Sequence, residues 1–192
     1  MKLLAPGLFL LACTAFGQTA TPPTGARPPA GPGLTITTPA IPDGSVIPNK
    51  FTQNAAPATP VSPELAWTHV PSTVVSFTLI MHDTDAAPRR GVDDNLHWLA
   101  FNIPASATGL PEGVPATATL ADGTIQVKNL RGAVGYLGPG AGAAGPYHHY
   151  TWELYALDIM LDLTPDATRA DVLKAMNGHV VAKGATFARF HR

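Results

Sequence analysis

Val74-Val-Ser-Phe-Thr-Leu-Ile-Met-His-Asp83 is the stretch on which the fold reading turns. It is rich in β-branched and apolar residues, it contains neither Gly nor Pro, and it ends on turn formers, so it reads as a β-strand. Four more runs read the same way: Leu34 to Thr38, His97 to Ile103, Gly123 to Lys128 and His148 to Asp158. The one clear helix signal comes late, where Thr168-Arg-Ala-Asp171 forms a capping box that opens Arg169 to Met176 and Asn177-Gly178 stops it. His179 to Phe190 fits a helix or a strand, because Gly184 interrupts it. Many strands and one late helix predict a mainly β fold, an antiparallel β-sandwich with one or two short helices near the C-terminus.

Composition supports this. The 192 residues include 18 Gly and 20 Pro, against 12 Lys+Arg and 13 Asp+Glu, and 45% are hydrophobic. Such a chain is not a helical bundle, a coiled coil or a charged disordered tail. A formal charge of −1 offers no bulk attraction to nucleic acid or to an anionic bilayer, so a bound anion requires a local site. Residues 1–17 combine Lys2, a short apolar run and a small-x-small end, which predicts a cleaved export signal rather than a membrane span. Leu10-Leu-Ala-Cys13 offers the alternative of a lipid anchor through Cys13. Residues 18–33 hold five Pro and three Gly and read as a disordered linker, leaving residues 34–192 as one domain without a pairable cysteine.

Period-2 alternation makes the strand ends informative. Phe77, Leu79 and Met81 share a face whose next member is Asp83. Leu99, Phe101 and Ile103 are preceded on their row by His97, and Tyr150, Trp152 and Leu154 by His148, while His149 points the other way. Antiparallel pairing of the first two strands puts Asp83 and His97 at one end of the sheet, and a third strand running with the His97 strand adds His148 and the Tyr150 hydroxyl. Two long loops flank that end, Thr84 to Leu96 and Gly135 to Tyr147. Taken singly, each of these residues has an ordinary structural use as a turn or strand-end group.

Several segments carry a family resemblance: Ile47-Pro-Asn-Lys-Phe-Thr52, Ser62-Pro-Glu-Leu-Ala-Trp67, Leu79-Ile-Met-His-Asp-Thr-Asp-Ala-Ala-Pro88, His97-Trp-Leu-Ala-Phe-Asn-Ile-Pro104, Leu110-Pro-Glu-Gly113, Gly135-Tyr-Leu-Gly-Pro139 and His148-His-Tyr-Thr-Trp-Glu-Leu-Tyr-Ala-Leu-Asp158. In this order and spacing the chain resembles the phosphatidylethanolamine-binding proteins, in the bacterial branch called Raf kinase inhibitor-like or YbhB/YbcL proteins. The resemblance implies a Greek-key β fold and a small pocket for phosphate or a phosphoethanolamine head group. It assigns Asp83, His97, His148 and Tyr150 to that pocket, Gly138 and Gly140 to its loop wall, and Asp85 and Pro88 to the shaping of the turn, with Ala87-Pro88 a candidate cis peptide. Thr84 stands where the motif has Pro, and Ala141-Gly-Ala-Ala144 replaces a Pro-Pro, which predicts a more flexible wall.

The resulting expectation is an exported, non-catalytic binding protein, periplasmic or secreted, that holds a small anionic ligand without cofactor or metal. Gly-x-Ser-x-Gly, His-Glu-x-x-His and Walker motifs are all absent, which argues against an enzyme. A hydrolase using the Asp/His cluster and an inhibitor-like protein-interaction module are the alternatives. The protein partner and the oligomeric state, a homodimer included, stay open.

Overall fold

The computed structural model describes residues 32–192; the expected signal, Cys13 and nearly all of the expected linker lie outside the described residues. Eight strands and one helix follow in order: β1 (Thr35–Thr37), β2 (Leu65–Thr68), β3 (Ser76–Asp83), β4 (Asn95–Pro104), β5 (Gly109–Leu110), β6 (Ile125–Gln126), β7 (His148–Leu157), α1 (Arg169–Met176) and β8 (Val180–Phe190). They form two antiparallel sheets, β1-β2-β5 and β6-β4-β3-β7-β8. β7 returns over a long connection to lie against β3 rather than beside the preceding strand β6, as a Greek key does.

The larger sheet is covered on both faces, so every residue of β3 is buried. One face packs against the small sheet, with Phe77, Leu79, Met81, Trp98, Tyr150, Trp152 and Leu154 meeting Ile36, Leu65 and Trp67. Trp67 and Phe77 tilt against each other with ring centroids 5.3 Å apart. Buried Trp98 donates its indole N–H to Gln126 Oε1 at 2.7 Å, and the Gln126 amide donates to the Pro115 and Thr117 carbonyls, so this buried amide is fully satisfied, whereas the indole N–H of Trp152 in the same core has no partner. The other face carries Ile80, Leu99 and Phe101 and is closed by Leu161 and by Val172 and Met176 of α1. Thr168 and Asp171 form the expected capping box, which fixes the start of α1.

The ambiguous C-terminal stretch is a strand. β8 alternates exposed and buried residues along Gly184–Phe190, and Gly184 marks a close approach rather than a break: a Cβ there would lie 2.5 Å from the Leu34 carbonyl oxygen. The expected strand from Gly123 to Lys128 shrinks to β6, flanked by isolated bridges at Thr119–Ile125 and Lys128–Val134. The short strands β2 and β5 carry too few residues to show a period. The Ala87-Pro88 peptide is trans; among the described residues the cis peptide is Ala56-Pro57.

Strand β4 departs from simple alternation twice. Its pairing with β3 slips between Phe77 and Leu79 and again between Met81 and His82. At each slip two β4 residues face one β3 residue, which defines a bulge. Asn102, at the first, adopts φ 57° and turns its side chain to the helix-side core, where it exchanges hydrogen bonds with Leu161. At the second, Trp98 pairs with Met81 and Leu96 with His82, leaving His97 as the extra residue. His97 therefore does not continue the row of Leu99 and Phe101, which lies in the helix-side core, while Ile103 lies in the other. The bulge turns His97 onto the Met81 and Asp83 face instead.

Candidate functional site

Asp83 closes β3 and does two things. Its Oδ1 accepts the Asp85 N–H at 3.1 Å, folding the chain into the turn, and its carboxylate receives His148 Nδ1 at 2.8 and 3.0 Å. Asp83 is opposite Tyr150 in the β3–β7 register, so His148 and Tyr150 flank it on one face. Asp83 and His97 are each only 3% exposed, and Tyr150 is fully buried, which makes this a polar cluster at the end of an apolar sheet face.

His97 donates from Nδ1 to the Leu137 carbonyl at 2.8 Å, and the Leu137 N–H donates back to the His97 carbonyl at 2.9 Å. A carbonyl only accepts, so the Nδ1 proton is fixed and Nε2 is left with its lone pair. Burial holds the His97 pKa below the usual imidazole value, against the opposing pull of the Leu137 bond and the Asp83 charge. His97 stands edge-on to Tyr150, with centroids 5.1 Å apart and planes at 90°. Burial and then the Asp83 charge hold the Tyr150 phenol far above its usual pKa, against the opposing pull of the Gly140 and Ala141 backbone, so it remains protonated.

The Gly-rich loop is pinned from behind. A Cβ on Gly138 would lie 2.8 Å from the Phe51 carbonyl oxygen, and one on Gly140 would fall 2.3 Å from Gln53 Nε2. Gln53 donates its side-chain amide to the Gly138 carbonyl at 3.0 Å and its backbone N–H to the Pro139 carbonyl at 2.9 Å. Gly138 is thus required by close approach to backbone, whereas a side chain at Gly140 would displace the end of Gln53. Tyr136 adds a hydroxyl bond to the Phe51 carbonyl at 2.7 Å.

Asp85 and Pro88 lie outside the cluster. Asp85 accepts the His149 N–H at 2.6 Å and His149 Nδ1 at 2.9 Å; burial alone would raise its pKa, and these bonds lower it. Pro88 opens a single 3₁₀ turn, Pro88–Arg90. His149 points away from the site, as alternation requires. A separate cleft of about 660 Å³ lies between this loop and α1, bordered by Val92, Asp94, Leu130, Arg169 and Leu173. Asp94 and Arg169 bind each other there, and none of the cluster residues borders it.

The sequence profile of the family described as phosphatidylethanolamine-binding protein matches residues 37–191. The chain belongs to this phosphatidylethanolamine-binding protein family. A UPF0098 protein of Methanothermobacter thermautotrophicus is 38% identical over 159 residues, covering 83% of this chain and 99% of the relative. A Mycobacterium tuberculosis relative, named as a candidate lipoprotein LppC, is 34% identical over 149 residues, which are 77% of this chain and 67% of the relative. Among solved structures, a homologue of the phosphatidylethanolamine-binding proteins from Chlamydia trachomatis superposes with a TM-score of 0.71 at 27% identity, covering 83% of this chain and 98% of its own. E. coli YbcL reaches 0.74 at 24% identity, covering 84% of this chain and 99% of its own, a likeness of fold.

In this member of the phosphatidylethanolamine-binding protein family, Asp83, His97, His148 and Tyr150 meet at one sheet end, with Gly138 and Gly140 beside them. Gln53 and Arg131 did not emerge from the sequence. Gln53 directly follows the motif segment ending at Thr52, and that adjacency was its only signal.

Proposed function

We propose that the domain, residues 34–192, is a non-catalytic binding module whose cluster takes the phosphate group of a small ligand. The observation that carries this reading is the convergence of Asp83, His97, His148 and Tyr150 at one sheet end beside the glycine loop. Backbone N–H groups and a phenol O–H are preorganised donors for phosphate oxygens. His148 holds the Asp83 carboxylate through Nδ1, and a proton on Nε2 makes it a cationic donor to the anion while offsetting the carboxylate beside it. Neutral His97 presents Nε2 as an acceptor, suited to the single O–H of a phosphomonoester monoanion or to one O–H of inorganic phosphate monoanion.

Affinity for inorganic phosphate and phosphoethanolamine is therefore expected to rise as pH falls through the range in which histidines titrate. Calorimetric titrations at two pH values test this; equal affinity at both, or no binding at either, would sink the reading. Residues 1–17 support export, with attachment through Cys13 as the alternative, and the lipoprotein name of the mycobacterial relative is in keeping with the latter. Mass spectrometry of the mature N-terminus separates them. No helix among the described residues is long and apolar enough to cross a membrane.

A further inference from the structure

The cluster contains a carboxylate and, at most, one cationic histidine, which is little charge with which to hold a phosphate. Positive charge stands next to the glycine loop. Gln53 Oε1 accepts from Arg131 at 2.8 Å and from Arg192 at 3.2 Å, while the other end of the same amide is fixed on the Gly138 carbonyl. Arg192 also donates its backbone N–H to the Ala141 carbonyl at 3.1 Å, so it is attached to the loop that faces Tyr150. The Arg131 charge reaches His97, where it opposes protonation. Among the described residues neither guanidinium has a carboxylate partner, whereas Arg169 and Lys183 are paired with Asp94 and Glu153. Two like charges held on one neutral oxygen repel each other, and a second anion beside them would relieve that repulsion. Both arginines are exposed, so their remaining N–H groups are free to bind it.

Resting on the anion-site reading above, we infer that Arg131 and Arg192, oriented by Gln53, form a second anion subsite at the pocket rim, and that the ligand is a small phosphomonoester whose tail carries another anionic group. The phosphate sits at the Tyr150 end and the tail lies toward Gln53. A cationic ammonium tail is disfavoured there, which makes a phosphoethanolamine head group a poorer ligand than its carboxylate counterpart.

Three compounds with two-carbon tails of different charge isolate this effect: phosphoglycolate, ethyl phosphate and phosphoethanolamine, each titrated into the wild type alongside inorganic phosphate. The expected order is phosphoglycolate, then ethyl phosphate, then phosphoethanolamine, with about tenfold between the first and last, the size of one charge-assisted hydrogen bond. In Arg131→Gln/Arg192→Gln the three should converge to within about twofold. Should that double variant fold poorly, Arg131→Gln alone and a titration at raised ionic strength serve, since both should shrink the preference. Binding of phosphate with phosphoethanolamine equal to or tighter than phosphoglycolate overturns the rim subsite and leaves the pocket reading standing. An unchanged preference in the folded variants also overturns it. Failure of all four compounds to bind removes the pocket reading itself, and the rim with it.

Discussion

Two neighbouring residues of β3 serve opposite faces of the same sheet, and the polar clusters they enter are built differently. Toward the helix side, His82 meets Asp94 at 2.5 Å and lies 3.6 Å from Glu153; Arg169 binds Asp94, and Lys183 binds Glu153 at 2.6 Å. Two carboxylates, two permanent cations and one histidine nearly cancel. Toward the small-sheet side, Asp83 has one histidine partner, and the nearby arginines rest on a neutral amide. The charges of the first network are matched, although His82 Nε2 and Arg169 Nε lack a hydrogen-bond partner, and its pairs hold β3, β7, β8 and α1 together. The second keeps donors and charge unspent at a rim, which is the arrangement a ligand can complete. Proximity of ionisable residues alone does not separate a site from a brace; whether their charges are already answered does.

The histidines report the same contrast. Burial works against charge on His82, but the Glu153 carboxylate facing it at 3.6 Å and the bonded Asp94 outweigh it and raise its pKa, even with Arg169 opposing. Glu153 is correspondingly lowered to about 2, chiefly by His82. His97 has no such partner, and burial lowers it.

The largest effect expected on stability comes from opening the charge-matched network. Asp94→Ala leaves Arg169 and His82 without their shared carboxylate and should cost about 3 kcal/mol, seen as a loss of several degrees in Tm, while phosphate affinity stays within about twofold. A binding loss as large as the stability loss would erase the distinction between the two faces. Next comes Gly138→Ala, whose Cβ meets backbone at 2.8 Å and the Pro60 ring at 2.9 Å; roughly 1–3 kcal/mol and weakened phosphate binding are expected from calorimetry.

The pH dependences sharpen the comparison because their signs are opposite. His82, with its pKa raised on folding, contributes stability that is fully present below the ordinary imidazole value and is lost as pH rises through the folded one. His97, with its pKa lowered, favours the folded state above the ordinary value, and that contribution is lost as pH falls toward the folded one. Imidazole NMR titration should place His82 above and His97 below a histidine in the unfolded chain; the reverse order would contradict the assignment of charges. The smallest effect is expected of His149→Ala, which removes a half-exposed pair with Asp85 and should change stability by under about 1 kcal/mol.

Much of this was readable in the residues. The β7 row from His148 through Tyr150, Trp152 and Leu154 is regular, and its alternation carries directly into the core. Thr168 and Asp171 gave away the start of α1, because a capping box is a local device that does not depend on what surrounds it. His97 was placed at the right sheet end through the wrong row: a bulge adds a residue without any compositional mark, and period-2 counting cannot register it. Gly184 hid β8 because a glycine demanded by the passing Leu34 carbonyl looks, in sequence, like an interruption. The arginine rim was invisible for a further reason: Arg131 and Arg192 are far apart along the chain and meet only through the side chain of Gln53.

The central claim, that the open cluster binds phosphate, is tested most directly by titrating inorganic phosphate into isotopically labelled wild type, His148→Ala and His149→Ala, following backbone amide shifts. Shifts centred on Gly140, Ala141 and the ends of β3 and β7, weakened at least about tenfold in His148→Ala and unchanged in His149→Ala, are the predicted result. Equal affinities in all three proteins, or shifts confined to the cleft beside α1, would contradict it.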